Sequence, residues 1–121
     1  MIQGDTPEPE VTMHRYFMGF LRRGPAWTAE RTDEALAVGR AHMANIERLS
    51  AEGKLAVAGP IELLEDAATT GPLAGIFILK TDTMEQAAAL LASDPAVKAG
   101  RFTSQILSWW APSGLTYDGA P

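Results

Sequence analysis

The sequence predicts an α+β domain whose elements run strand, helix, strand, strand, helix, strand around one four-stranded antiparallel sheet. Three observations predict it: short strand-like runs at both ends, two capped amphipathic helices, and a pair of apolar runs between them. With 121 residues, 46% of them hydrophobic, the chain is one domain that can bury roughly two thirds of its unfolded surface. No internal repeat of the solenoid kind is present.

Residues 1–12 read as a flexible leader. Asp5, Glu8 and Glu10 stand among Pro7 and Pro9, the reverse of a signal peptide with its basic start and apolar run. Residues 13–21 are aromatic-rich and close on Arg22-Arg23-Gly24-Pro25, which predicts the first strand. A long helix follows, with Thr28 or Thr32 as N-cap, acidic Asp33 and Glu34 in its first turn, and Gly53 beyond its end. At about 100° per residue, Ala35, Val38, Ile46 and Leu49 share a face with His42, while Asp33, Arg40, Glu47 and Arg48 lie opposite. His42 therefore points inward.

Residues 54–61 predict a second strand, in which Pro60 removes a ladder donor and suits an edge or a strand end. A polar loop spans 62–71, and 73–80 form a third strand that is apolar throughout. Thr83-Met84-Glu85-Gln86 is a capping box opening a second helix with the core stripe Met84, Ala87 or Ala88, and Leu91. Asp94-Pro95 starts a further short turn that leaves through Gly100. Residues 101–110 are the last strand, the domain closes near Pro112, and 113–121 form a tail.

Right-handed connections place both helices on one face of the sheet. This is the ferredoxin-like plan. Strands one and three nevertheless carry Tyr16, Phe17, Met18 and Phe20, then Ile76, Phe77, Ile78 and Leu79, on both faces. Two helices cover one face only, so an apolar surface remains for association. We expect a homodimer or higher homo-oligomer packed sheet to sheet, with a cavity between.

The net charge of -5 and pI near 4.9 argue against non-specific nucleic-acid binding, which needs clustered basic residues. With no cysteine, disulfides, thiolate zinc sites and a Cys nucleophile are excluded. No stretch approaches the roughly 18 apolar residues of a membrane span. A cytoplasmic protein without membrane association is expected.

The residues able to carry chemistry are few. His42 is suited to general base work near neutral pH, and Asp94 can orient it while also capping a helix. The bland alternatives are a core-flanking histidine and a cap alone. No nucleophile elbow surrounds Ser93, Ser104 or Ser108. Proton transfer is therefore the chemistry expected. His14, His42 and a carboxylate are the one conceivable metal set, but no helix carries paired ligand spacing, and no metal or cofactor is expected. Gly59 and Pro60 permit close approach of a ligand to backbone. Trp109 and Trp110 alternate across the last strand, so one belongs to the core and the other to a pocket or interface. Tyr16, Gly59, Pro60 and Trp109 are the candidate substrate contacts; Trp27 is a candidate rim, with Arg15 and Arg101 as further polar contacts.

Ala41-His42-Met43, Glu52-Gly53-Lys54-Leu55, Ala58-Gly59-Pro60 and Asp94-Pro95-Ala96-Val97-Lys98-Ala99-Gly100 together resemble the YCII-related (YciI-like) family. The resemblance spans about residues 13–112. It implies a ferredoxin-like subunit forming a dimeric α+β barrel, with an active site on His42 and Asp94. The broader superfamily implied contains cofactor-free isomerases, dehydrochlorinase-like lyases and monooxygenases on cyclic or aromatic compounds, besides some haem enzymes. Gly39 stands where many relatives place an arginine. Two functions are expected: a small cofactor-independent lyase, isomerase or hydrolase, or a non-catalytic dimeric module that binds a metabolite or supports an assembly.

Overall fold

Three side-chain caps set where the helices begin. In a computed structural model that describes residues 11–62 and 72–115, Thr32 accepts from the Ala35 N–H at 3.1 Å and starts α1, Asp33–Ala51. Thr83 and Gln86 form the reciprocal box at the head of α2, Met84–Ala92. Asp94 caps the short α3, Pro95–Lys98, where Pro95 occupies the first turn, in which its missing N–H costs nothing. α1 ends on Gly53 and α3 on Gly100, both with φ near +75°, a conformation a Cβ disfavours. Most of the leader, the bulk of the polar loop (63–71) and the end of the tail (116–121) lie outside the described residues.

The strands are β1 Met13–Arg23, β2 Leu55–Pro60, β3 Leu73–Leu79 and β4 Phe102–Pro112. They form one antiparallel sheet in the order β2-β3-β1-β4, the ferredoxin-like arrangement. β1 runs two residues past its expected end, because a register shift between Leu21 and Arg22 lets it keep pairing with β3 while β4 accompanies it throughout. β2 is an edge strand, as Pro60 requires. The Ile61 N–H bonds to the Ala74 carbonyl at 2.8 Å, so the nitrogen of Pro60 faces away from the sheet.

The pleat divides the sheet into two faces. Phe17, Leu21, Phe77 and Leu79 meet Leu49 of α1 and Ala87 and Leu91 of α2 in the main core. Each large side chain buried there contributes about 1.5–3 kcal/mol. Gly19 admits α2 closely, since a Cβ would lie 2.7 Å from a Leu91 methyl. The other face carries a smaller cluster of Tyr16, Ile78 and Ala111, flanked by half-buried Met18, Ala56 and Ile76.

Two expected core positions are corrected. Met84, the first residue of α2, is 40% exposed, and Ala87 and Leu91 are the helix's buried residues. Trp109 and Trp110 are both exposed, so neither joins the chain's core. Among the described residues, no helix is long and apolar enough to cross a membrane.

Candidate active site

His42 sits on the sheet side of α1, and Asp94 stands fully buried at the turn between α2 and α3. His42 Nδ1 lies 2.8 Å from each carboxylate oxygen of Asp94. The Ala96 N–H donates to Oδ1 at 2.8 Å, which is the helix cap, and Asn45 Nδ2 donates to Oδ2 at 3.1 Å. Capping and imidazole binding therefore coexist on one carboxylate.

Burial is the largest single influence on this carboxyl and acts to raise its pKa. The hydrogen bond and charge of His42, then the Ala96 N–H and Asn45, outweigh burial and hold it below the usual carboxylate range. Asp94 is thus ionised and can only accept. Its acceptor role fixes the proton of neutral His42 on Nδ1 and leaves the Nε2 lone pair free of that contact.

The imidazole forms part of the wall of a cavity of about 310 Å³. Leu21, Phe77 and Phe102 come from the sheet, Met43 and Ile46 from α1, and Gly59 and Pro60 from the edge strand. Phe77 and Phe102 tilt around the His42 ring at centroid distances of 6.1 and 5.7 Å. Gly59 pairs with Ile76, whose side chain belongs to the open face, so Gly59 borders the cavity through its backbone. The lining is mostly apolar, which suits a small ligand oriented by few polar groups. A groove of about 450 Å³ beside α2 holds Lys54, Lys80 and Asp82 but no histidine, and Lys54 there is engaged by Glu52 at 3.2 Å.

The structure brings His42, Asp94, Gly59 and Pro60 together. It does not bring Tyr16 or Trp109, which pair across β1 and β4 on the opposite face, their rings 6.2 Å apart. This cavity lies between α1 and the sheet of one chain; the chamber expected between two sheets belongs to a pair of chains. Tyr16 instead accepts from the Leu115 N–H at 3.0 Å. Trp27 lies under the Arg23 guanidinium at 3.8 Å, Arg15 stands over Phe17, and Arg101 donates to the Thr28 carbonyl. His14 packs against Tyr16, across the sheet from His42. Among the described residues no three His, Cys, Asp or Glu groups converge as a metal site. Ser93 donates to the Leu90 carbonyl at 2.7 Å.

Asn45 was missed by sequence reasoning. It is 7% exposed, one helical turn beyond His42, and its only signal is a polar residue about 60° from the packing stripe.

Fold and site define a ferredoxin-like α+β domain with a half-buried imidazole held by a buried carboxylate beside an apolar cavity. The chain belongs to the YCII-related family, whose domain model matches residues 17–111. Among solved structures it is similar to the 5-chloro-2-hydroxyhydroquinone dehydrochlorinase (TftG) of Burkholderia phenoliruptrix AC1100, solved with 2,5-dihydroxybenzoquinone. The two are 19% identical with a TM-score of 0.49, covering 76% of this chain and 90% of that one. None of the curated proteins matches.

Proposed function

We propose that this protein is a small cofactor-independent enzyme in which His42, oriented by Asp94, moves a proton on a small cyclic or unsaturated metabolite. The observation that carries the proposal is the pair of 2.8 Å contacts between His42 Nδ1 and a fully buried carboxylate, beside a cavity of about 310 Å³. In the proposed step, Nε2 takes a proton from a carbon next to a carbonyl, and the electron pair moves onto that carbonyl oxygen. The new imidazolium faces the Asp94 anion, which stabilises it. Returning the proton to another carbon gives isomerisation; expelling a leaving group gives elimination. Where Nε2 instead takes a proton from water, the hydroxide adds to a substrate carbonyl carbon and the leaving group departs with the proton from the imidazolium, which is hydrolysis. Gly59 and Pro60 bound the ligand, and the apolar walls exclude water and strengthen the electrostatics.

The quaternary proposal is a homodimer through the open face. Leu107 and Trp109 lie 47% and 37% exposed there, beside half-buried Met18 and Ile76. Tyr16 and Trp109 then serve that contact rather than the ligand. The competing reading, a non-catalytic binding or structural module, is favoured by the Asp94 cap, a sufficient structural reason for that carboxylate.

A panel of cyclic enones, halogenated phenols and lactones, assayed with wild type, His42→Ala and Asp94→Asn, separates the readings. His42→Ala is expected to lower kcat/KM by about 10²–10⁴-fold on any substrate turned over. Turnover that survives both substitutions in folded protein sinks the catalytic assignment.

A further inference from the structure

We infer that Asn45 and Arg48 are positioning residues that set the basicity of His42 by acting through Asp94. The inference rests on the catalytic reading of His42, which it deepens. Asn45, His42 and Arg48 occupy one row of α1 at three-residue spacing. Asn45 Nδ2 donates to Asp94 Oδ2 at 3.1 Å, and Arg48 Nη2 donates to Asn45 Oδ1 at 2.6 Å. Arg48 Nη1 reaches Glu52 at 3.3 Å, and Lys54 meets the same carboxylate at 3.2 Å. A hydrogen-bonded line thus runs from the exposed end of α1 to the imidazole.

The chemistry of each member fixes the direction of that line. A guanidinium only donates and an ionised carboxylate only accepts. The side chain between them must accept on one side and donate on the other. A primary amide does both, and Arg48 decides which way it points: Oδ1 toward the guanidinium, Nδ2 toward Asp94. Leu at 45 serves neither neighbour, and Asp serves only one.

The bond from Asn45 falls on Oδ2, the oxygen that the Ala96 N–H does not touch. Each oxygen therefore has one donor besides His42, and Nδ1 meets the two at equal distances. Without Asn45, charge concentrates on Oδ2 against the ring, and the imidazolium gains relative to the neutral base. Asn45 and Arg48 thus keep His42 from becoming too basic. Among the described residues, the ring contacts from the sheet are aromatic: β3 supplies Phe77 and β4 supplies Phe102. The capping N–H of α3 meets Asp94 rather than the ring.

The experiment is a ¹H–¹⁵N NMR titration of His42 in the full chain. His14, across the sheet, is the internal reference. Asn45→Asp is expected to raise the His42 pKa by about one unit, a tenfold gain in proton affinity. Arg48→Ala, at a side chain 51% exposed and so tolerant of change, raises it by a smaller amount, and Arg48→Lys restores most of the shift. His14 does not move. The same order appears in the acid limb of the kcat/KM profile.

A His42 titration identical in wild type, Arg48→Ala and Asn45→Ala overturns the inference. Where turnover still depends on His42, that result removes the positioning role alone. Turnover indifferent to His42→Ala removes the catalytic reading and the role with it, even if the titrations differ.

Discussion

The two faces of the sheet are built from the same kinds of side chain and end in different states. On the helix side Phe17 and Leu79 are sealed at 1% and 0% exposure, whereas on the other side Leu107 and Trp109 keep 47% and 37%. Hydrophobicity in the sequence does not decide between them; the helices this chain can spend on cover do. The closed side also carries the polar cluster, because only there can a carboxylate be removed from water and still meet three donors. Burial and the proposed chemistry thus share one face, and the proposed association falls to the other.

The contrast is broken most severely at the core. Phe17→Ala is expected to destabilise the fold by about 3–5 kcal/mol, while Leu107→Ala changes it by under about 1 kcal/mol in a monomer, both read from urea midpoints. Leu107→Asp sharpens the role of the open face: sedimentation should show dimer dissociation at least ~10-fold easier, with the monomer fold retained. An unchanged or already monomeric distribution would remove the dimer proposal. Ala58→Leu probes the closed face, because Ala58 lines the cavity and stands opposite Phe77 on the helix side of the sheet. Ligand affinity should fall at least ~10-fold while stability stays within about 1 kcal/mol.

The smallest effect is on pH dependence. Asp94 has a lowered carboxyl pKa in the fold, so its contribution is present above the unfolded value of about 3.9 and is lost as pH falls through the folded value. Denaturant midpoints taken between about pH 6 and about pH 3 should fall more steeply for wild type than for Asp94→Asn. Equal slopes would show that Asp94 is not the group responsible.

Much of this was legible in the chain. The Thr83 to Gln86 box, the Asp94-Pro95 cap and the glycines at 53 and 100 each encode a local backbone need, and each acts where it was read. The inward direction of His42 followed from helical spacing. Contacts made by long or off-axis side chains did not. Arg48 lies about 120° around the helix from His42, on the side read as solvated, and its bond to Asn45 three residues back lies off the packing stripe that the spacing displays. The tryptophans misled for a different reason: Trp109 lies on the face without helices and Trp110 is left exposed on the other, and strand alternation does not say which positions are covered.

The proline that closes the edge strand also guards against misassembly. A sheet grows when an incoming chain finds a rung of free amide hydrogens, and at Pro60 the outward rung is missing. Fibre-like stacking along that border is blunted, which leaves the flat open face to carry the proposed meeting of two copies.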